Sequence, residues 1–503
     1  MKTLLIVSRH PSRLFLEQAK ALRGHFRVVV ALSAPEMELY DGVEGIEVVE
    51  WGALGKSMLD AEARSRAELV AEAEQATGVS MYRATSNYLL YFRLISNFRD
   101  SEVSRYWESE PQIVDLYLTG WLAFNRIFDQ YRPDLVFIQT PDHVYALLVQ
   151  ILAYQRGVFS LSPYFGPMFG ECHVFLYTGV IATNFMMDHL MAHPEKIPAE
   201  AWERGLAALE TMLSDGPRLP AYLSDLRARS QGRWAPLLRR AGKVLANPAE
   251  LTKHSFSDVR NAVRYYRNQH WLSQHAGMAA PPGKYILFLL SHQPEASTTM
   301  QAPRWIDQER VIEQIAINAP LGTTVVVKEH PRSFGHRGKR YFSELTTLPN
   351  VRIAHPAASN RDLLAGASVV FTLTGSNGFE AWLAGKKVAT LGRPYYCRLP
   401  GVRRLDHPAD FWQHALDPDW SVDGLDDVRK RAAAAYAASV YGLGRASSDG
   451  VWPIPEDGGP RLAEATKAYF AFIEQNDLRP SDVPIGIEIA SVPVESGHLA
   501  VST

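Results

Sequence analysis

The sequence has few cysteines, with Cys172 and Cys397 as the only two among 503 residues. They lie far apart in the chain, and neither belongs to a metal-ligand spacing. A disulfide framework and a structural zinc site are therefore excluded as the basis of the fold. The scarcity of cysteine is typical of a protein from a reducing compartment.

Long apolar runs are also missing. The chain begins with an apolar run of about five residues that Arg9, His10 and Arg13 soon follow, which is too short for a secretory signal peptide. No stretch approaches the roughly 20 apolar residues that a membrane-spanning helix requires. We therefore predict a cytoplasmic protein that is soluble, or at most bound peripherally at the inner face of the cytoplasmic membrane.

Excess charge of either sign is absent, because 52 Lys and Arg residues face 54 Asp and Glu residues, for a net charge of −2. No global field attracts a nucleic acid, so we expect no nucleic-acid partner, and any anion site must be local. The composition, 47% hydrophobic and 21% charged, is that of a folded enzyme. A chain of this length is expected to form two or three domains.

Residues 1–183 predict an N-terminal Rossmann-like domain that would bind the acceptor. Short apolar runs alternate with helical patterns, and such runs are typical of a parallel sheet covered on both faces. The predicted strands are Thr3 to Ser8, Phe26 to Ala31, Ile46 to Val49, Asp134 to Gln139 and Val158 to Leu161. A helical insertion at about 58–131 could form one wall of a cleft, or it could only add to the core.

Residues 184–282 predict a helical connector, because strand patterns fade there and Ala, Leu, Arg and Glu dominate. Within it, the segment Arg227 to Lys243 interleaves cationic residues with Trp234 and leucines. Such a basic amphipathic segment could lie on an anionic membrane surface. Pro236 interrupts the segment, and a solvated helical face is the interpretation that we favour.

Strand and helix patterns alternate again over 283–410, which predicts a second Rossmann-like domain. Its predicted strands are Tyr285 to Leu290, Thr324 to Val327, Val351 to Ile353, Val369 to Leu373 and Val388 to Leu391. Helices are predicted over 411–475, and a poorly ordered tail over 476–503. The predicted fold class is α/β, with two doubly wound domains, a helical insertion and a helical connector.

The carboxyl ends of the strands in the second domain are the expected place for chemistry, since ligands of open α/β sheets bind there. The first of these strands is followed by a polar loop that contains Gln293, Glu295 and Ser297. The first two could address a base or a sugar, and Ser297 a phosphate. A helix-capping loop is the alternative, since serine and threonine are favoured there for capping alone.

Positive charge is concentrated after the second strand. Lys328, Arg332 and three further Lys or Arg residues fall within positions 328–340, in a protein of almost no net charge. His330 can also donate to a phosphate oxygen through either ring nitrogen. These residues favour an anionic ligand, and a solvated basic turn is the alternative.

A glycine-containing loop with Gly375, Ser376 and Asn377 follows the fourth strand. Glycines let a backbone approach a ligand closely, and the helix that follows would present free N–H groups. Glu380 could reach a ribose diol, or its carboxylate could cap the Asn377 N–H, since the spacing is that of a capping box. After the fifth strand, Arg393 could meet a diphosphate. Together, these strand ends predict a nucleotide-sugar pocket.

At these residues the chain resembles the capsule polysaccharide biosynthesis family, glycosyltransferases of two-Rossmann (GT-B) architecture that include bacterial β-Kdo transferases. The resemblance is carried by Gln293-Pro294, by the run Lys328 to Pro331 and by the segment Gly375 to Tyr396. It implies that the second domain binds the activated sugar, with His330 and Ser376 at the phosphate and Glu380 at the ribose. It leaves open whether the base is cytosine, as in CMP-Kdo, or uracil. The nucleotide-sugar is a co-substrate, and the scheme requires no cofactor and no metal.

The acceptor is expected against the N-terminal sheet, where Asp142 and His143 follow the predicted fourth strand. Asp142 could deprotonate an acceptor hydroxyl, or it could be the nucleophile of a retaining double displacement, with His143 orienting it. A helix N-cap is the alternative for Asp142. Arg9 and His10 follow the first strand and form a second candidate acceptor patch, since arginine binds carboxylates and phosphates.

These observations predict a metal-independent glycosyltransferase that moves a sugar from a nucleotide-activated donor to a surface polysaccharide or glycolipid. A sugar-nucleotide 2-epimerase or a CDP-polyol phosphotransferase would use a similar phosphate site. A non-catalytic sugar-nucleotide-binding subunit of an envelope assembly machine is a third hypothesis. Turnover of a UDP-sugar without acceptor would favour the epimerase, and unchanged biological output after replacement of Asp142 and His330 would favour the binding subunit.

Overall fold

The computed structural model of the protein describes residues 1–8, 13–86, 110–138, 144–168, 171–179, 182–215, 254–293, 295–444 and 458–483. These residues form an N-terminal lobe around a seven-stranded sheet and a C-terminal lobe around a six-stranded sheet. Helices accompany both sheets. The predicted α/β fold class with two Rossmann-like sheets is therefore confirmed.

The first sheet is built from buried apolar strands, which are β1 (Lys2–Val7), β2 (Phe26–Leu32), β3 (Ile46–Glu50), β4 (Leu135–Ile138), β5 (Phe159–Met168) and β6 (Glu171–Tyr177). Alternate residues of β1 pack into different cores: Leu4 and Ile6 into one, and Leu5 and Val7 into the other. Because both faces are covered, the strand is a continuous apolar run. Strands β1 to β5 pair in parallel.

The helices of the first lobe and the connector follow the predicted order, although the insertion and connector are described only in part. They are Arg13–Leu22, Trp51–Asp60, Arg66–Thr77, Glu110–Tyr131, Val144–Gln155, Phe185–Ala192, Ala199–Asp215 and His254–His275. The basic segment Arg227 to Lys243 lies outside the described residues, so its membrane contact stays a prediction. Across the ranges that the structure describes, no helix is both long enough and apolar enough to cross a bilayer.

The second sheet consists of β7 (Tyr285–Leu289), β8 (Thr324–Lys328), β9 (Val351–Ala354), β10 (Ala367–Thr372), β11 (Lys387–Thr390) and β12 (Val402–Arg404). Its order is β12-β11-β10-β7-β8-β9, and all its pairs are parallel. The helices between and after these strands are Ala296–Thr299, Gln308–Ile317, Lys339–Leu345, Asn360–Gly366, Asn377–Leu383 and Phe411–Ala415. The chain builds outward from β7 to β9 and then returns to place β10 on the other side of β7. The strand order therefore reverses between β7 and β10, which is where open sheets bind ligands.

The C-terminal part of the chain returns to the first lobe. It contains the helix Asp426–Ser439, the strand β13 (Tyr441–Gly444) and the helix Gly458–Gln475. Strand β13 pairs antiparallel with β6, which is itself antiparallel to β5. The five strands that the sequence predicts for the first sheet do pair in parallel, and β6 and β13 add an antiparallel edge that the sequence pattern did not indicate.

Buried polar side chains fasten the returning segment to the first lobe. Nε2 of Gln18 donates to Oγ1 of Thr466 at 3.0 Å, and Nδ2 of Asn184 donates to Oγ of Ser439 at 2.7 Å. The Tyr469 hydroxyl donates to the Ser439 carbonyl at 2.9 Å. Since polar groups are costly to bury unless they are hydrogen-bonded, these pairs favour one docking position for the C-terminal helices.

Candidate functional site

Loops that follow β7, β8 and β10 meet at the switch point of the second sheet. These three strands are neighbours in the order β10-β7-β8, and all of them run in the same direction. Their carboxyl ends therefore share one edge, and side chains from distant parts of the sequence come together there. This edge is the predicted location of the site.

A histidine cluster lies over the loops after β7 and β8. The ring centroids of His292 and His330 are 5.6 Å apart, and those of His292 and His336 are 6.2 Å apart. Nδ1 of His292 is hydrogen-bonded to Oγ of Ser333 at 2.7 Å. His330 is half-buried rather than enclosed. Imidazole N–H groups donate well to phosphate oxygens, so this cluster suits an anionic group.

The pair Glu329 and Arg337 forms the scaffold beneath the histidines. Both side chains are almost fully buried, and Nη1 of Arg337 donates to Oε1 of Glu329. Nη2 of Arg337 donates to the Ser291 carbonyl at 2.7 Å, and the His330 amide donates to Oε1 of Glu329 at 2.6 Å. This pair therefore joins the loop after β7 to the loop after β8. Arg337 belongs to the basic run 328–340 that the sequence predicts to bind an anion, but its charge is directed inward at Glu329.

Gln293 is also directed inward. Its side chain is 5% exposed, and its Nε2 donates to the Ile306 carbonyl at 2.7 Å. Its Oε1 accepts a longer hydrogen bond of 3.4 Å from Arg337. The structure thus places Gln293 in the support of the loop, and a contact with a donor stays a prediction.

Lys328 and Glu380 form the charged centre of the site. Lys328 ends β8, is 4% exposed, and donates from Nζ to Oδ1 of Asn360. Burial lowers the pKa of Lys328 to about 8, and the field of Glu380 opposes that shift. Burial raises the pKa of Glu380 to about 7, and Lys328 opposes it. Each residue therefore opposes the pKa shift that burial causes in the other, and the pKa values of both lie unusually close to neutral pH.

The capping alternative for Glu380 is not observed. The helix Asn377–Leu383 has Ser376 as its N-cap, in a helical conformation and without a side-chain capping bond. No hydrogen bond joins the Glu380 carboxylate to any described residue, the Asn377 amide included. Glu380 is partly buried, and its carboxylate is therefore available to a ligand.

Gly375 and Gly378 are placed by Tyr396. The Tyr396 hydroxyl donates to the Gly375 carbonyl, and a Cβ added at Gly378 would lie 2.1 Å from that hydroxyl oxygen. A side chain at Gly378 is excluded by this close approach. Tyr396 therefore packs against the glycine-containing loop.

Glu295 and Ser297 face the first lobe. The Ser297 hydroxyl donates to Oε2 of Glu295 at 2.9 Å, and Oγ1 of Thr374 donates to the Ser297 carbonyl at 2.9 Å. Tyr164 of β5 lies opposite. Burial raises the pKa of Tyr164 well above its usual range, and the nearby carboxylates of Glu295 and Glu380 contribute to that shift. The site is therefore bordered by both lobes.

Three other predicted site residues have no contact with this group among the described hydrogen bonds. Arg393 lines a pocket together with Tyr395 and Arg398. Asn377 begins its helix, and the side chain of Arg332 lies outside the described residues.

The four predicted residues of the first lobe, Arg9, His10, Asp142 and His143, also lie outside the described residues. The strands that precede them are neighbours, however. Strand β1 pairs in parallel with β4, and Val7 at the end of β1 is level with Ile138 at the end of β4. Strands β1 and β4 therefore end side by side at one edge of the first sheet. Arg9 and His10 follow β1 in the sequence, and Asp142 and His143 follow β4.

Sequence reasoning missed Tyr164, His292 and Asn360. Tyr164 lies in the strand β5, which extends beyond its predicted end, so no strand-end signal marked it. His292 could have been found, because it directly follows the strand end next to Gln293. Asn360 begins a helix after β9 and is brought to Lys328 only by the sheet.

Comparison with known proteins gives a clear match for the C-terminal lobe. Residues 246–437 match the family model described as capsule polysaccharide biosynthesis protein. This part of the chain is therefore similar to capsule polysaccharide biosynthesis proteins, and the match covers less than half of the chain. The predicted resemblance is thereby confirmed, since Gln293-Pro294, the run Lys328 to Pro331 and the segment Gly375 to Tyr396 all lie within the matched range.

Individual relatives match a shorter part of the chain. The capsule polysaccharide modification protein LipB is 30% identical over 115 residues in Neisseria meningitidis serogroup A and also in serogroup B. Each match covers 22% of this chain and 27% of the relative, so the chain spans about a quarter of the length of these relatives.

Among solved structures, the β-Kdo 2,7 transferase KpsC of Thermosulfurimonas dismutans aligns with 13% identity and a TM-score of 0.37. The alignment covers 73% of this chain and 90% of that chain. A likeness of this size carries no argument, and the fold is established by the order and direction of the strands.

We expect the buried pair to be required for stability. Replacing Arg337 with Met leaves the Glu329 charge uncompensated, and loss of one partner of a buried pair costs about 3–5 kcal/mol of unfolding free energy. Urea unfolding measures the effect. The double variant Glu329→Met with Arg337→Met should recover much of it, because no isolated charge remains.

The matched control for this prediction is Arg310→Met. Arg310 is 71% exposed and pairs with Glu313, so its replacement should cost about 1 kcal/mol or less. A loss for Arg337→Met no larger than that of the control would contradict the assigned role.

Proposed function

We propose that the protein is a glycosyltransferase of surface polysaccharide biosynthesis that binds a nucleotide-activated sugar at the carboxyl edge of its second sheet. One observation carries the proposal: Lys328, His330 and Glu380 lie at the switch point of this sheet, within an edge that Tyr164 of the other lobe borders. A donor held by the second lobe would therefore present its sugar toward the first.

The chemistry of these groups suits a nucleotide. The Lys328 ammonium and the His330 ring would neutralise phosphate oxygens, and the loop at Ser376 would add donors. The free carboxylate of Glu380 would accept hydrogen bonds from the two hydroxyls of a ribose. During transfer the leaving phosphate gains negative charge, and fixed cationic donors lower the energy of that state. The proposal therefore requires no metal.

The resemblance to the capsule polysaccharide biosynthesis family supports a proposal for the donor and the acceptor. The resemblance includes β-Kdo transferases, which favours a CMP-Kdo-like donor over a UDP-sugar. The curated relatives are named for capsule polysaccharide modification, which supports a glycan or glycolipid acceptor. We propose that this acceptor is held at the edge where β1 and β4 end, with Asp142 as the residue that deprotonates its hydroxyl.

The first test is a thermal-shift screen of CMP, CDP, UDP and GDP. A ligand that binds only the folded state raises the melting temperature according to its occupancy, so the donor's nucleotide should stabilise most. Failure of every nucleotide to stabilise the protein at millimolar concentration would contradict the proposed donor site. Turnover of a UDP-sugar in the absence of any acceptor would instead identify an epimerase.

His330→Ala should weaken binding of the nucleotide found in that screen by about 1.5–3 kcal/mol, the range for a hydrogen bond to a charged group. Isothermal calorimetry measures the affinity. The control is His270→Ala, since His270 is exposed on the helix His254–His275. Equal affinities for wild type and His330→Ala would remove His330 from the site.

Lys328 should impose a pH dependence on nucleotide binding. Its pKa is lowered to about 8, so the ammonium loses its proton as pH rises through this value, and attraction to phosphate is lost with it. The dissociation constant should therefore begin to rise above about pH 8. Lys328→Met should bind weakly already at pH 7 and show no such rise.

An exposed lysine at the opposite edge of the sheet, Lys284, provides the control for this profile. Lys284→Met should keep the wild-type pH dependence and affinity. Should the wild-type affinity stay constant up to the ordinary lysine range near pH 10, Lys328 would not be the phosphate-binding cation.

Asp142→Asn should leave donor binding unchanged and abolish transfer, because the amide cannot accept the proton of the acceptor hydroxyl. Calorimetry with the nucleotide and product formation with a capsular oligosaccharide acceptor separate the two effects. Full turnover by this variant would exclude Asp142 as the base.

A further inference from the structure

A second, strongly basic pocket lies between the lobes. It encloses about 240 Å³ and opens to solvent. Its lining residues are Thr183, Asp188, Arg393, Pro394, Tyr395, Cys397, Arg398 and Arg404. Thr183 ends the N-terminal domain and Asp188 lies on the helix Phe185–Ala192, whereas the others follow β11 in the second lobe or lie in β12.

Three guanidinium groups line this pocket against a single carboxylate. Arg393 is partly exposed and makes no hydrogen bond or ion pair with any residue that the structure describes. Arg404 pairs at 2.7 Å with Asp406, whose side chain is 82% exposed and therefore bonds weakly. The pocket thus has a surplus of positive charge, although the whole chain has almost none.

Asp188 is the one acidic side chain of the lining. Its carboxylate lies 3.3 Å from Nη1 of Arg398 and is 28% exposed. Burial raises the pKa of Asp188 to about 6, and Arg398 opposes that shift. The carboxylate is therefore poorly solvated, and its contact with Arg398 is a long one. Asp188 occupies the place that the oxygen of an external anion would take.

We infer that this pocket binds an oxyanion, which displaces Asp188 from Arg398 and is held by Arg393, Arg398 and Arg404. Arginine suits this role because its planar fork matches the geometry of phosphate and carboxylate oxygens. The volume is below the 300–1,000 Å³ of pockets for drug-sized ligands, so the ligand is a small phosphate or an acidic sugar unit rather than a nucleotide. The inference does not depend on the proposed donor site, because Lys328, His330 and Glu380 do not line this pocket.

Cys397 provides a reporter inside the pocket. It is half-buried, and Cys172 is the only other cysteine of the chain. In a Cys172→Ser background, alkylation by iodoacetamide therefore reports on this one thiol. A bound anion would cover the thiol and raise its pKa, and both effects slow alkylation. In case the background variant fails to fold, mass spectrometry of the Cys397 peptide gives the same rate in the wild-type chain.

Sodium sulfate should slow the alkylation of Cys397 several-fold, relative to sodium chloride at the same ionic strength. Arg393→Gln should abolish this protection. The control Arg340→Gln should retain it, because Arg340 is 89% exposed and lies outside the pocket. Asp188→Asn should shift protection to lower sulfate concentrations, since the competing carboxylate is gone.

Two further arms identify the source of the oxyanion and its independence from the donor site. Protection by glucuronate but not by glucose would assign the pocket to an acidic sugar, and protection by inorganic phosphate alone would assign it to a phosphate group. Sulfate protection should survive Lys328→Met, which disables only the proposed nucleotide site. Absence of sulfate protection in the wild type, or its persistence in Arg393→Gln, would overturn the inference.

Discussion

The buried pair of Glu329 and Arg337 is the interaction on which the geometry of the site depends. It joins the loop after β7 to the loop after β8, because the guanidinium binds the Ser291 carbonyl and the carboxylate binds the His330 amide. Transfer of both charges from water costs several kcal/mol per ion before the pair forms, so the pair adds little net stability. The pair instead fixes the position of the His330 backbone. The His330 ring stays half-buried at the carboxyl edge of the second sheet.

The two lobes contact each other through aromatic packing. Tyr164 and Phe175 of the first sheet pack against Tyr395 of the second lobe. The ring centroid of Tyr395 lies 5.7 Å from that of Tyr164 and 5.1 Å from that of Phe175. Tyr436, on the helix that returns to the first lobe, lies 5.7 Å from Tyr395. This contact brings Tyr164 within the field of Glu380. The proposed donor and acceptor sites would therefore share one cleft with a well-packed floor.

Much of the architecture could be predicted from the sequence because buried parallel strands are continuous apolar runs. Five of the six strands of the second sheet, for example, lie within two residues of their predicted bounds, whereas the three-residue β12 was not predicted. Strand β13 could not be predicted, since Tyr441–Gly444 is short, contains two glycines and pairs only with a strand far away in sequence. The returning helices were expected, but their docking depends on contacts such as Gln18 with Thr466 that no local pattern encodes.

The candidate site was predicted in position but less well in the role of each residue. Residue type and strand-end location identified Lys328, His330 and Glu380, because the edge of a parallel sheet is set by strand direction. They could not show that Arg337 pairs with Glu329 while Lys328 binds Asn360, since the two cations lie in one basic run. Side-chain direction depends on which buried partner is within reach, and these partners are brought together only by the fold.

The electrostatics of Lys328 and Glu380 connect burial to the proposed activity. Burial moves the pKa of the lysine down to about 8 and that of the carboxyl up to about 7, so each residue is close to exchanging a proton at neutral pH. A phosphate that arrives beside Lys328 would raise the pKa of Lys328, because negative charge favours the protonated form. Donor binding would then be coupled to proton uptake by Lys328. Departure of the nucleotide would release that proton, so the site can adjust its charge to that of its ligand.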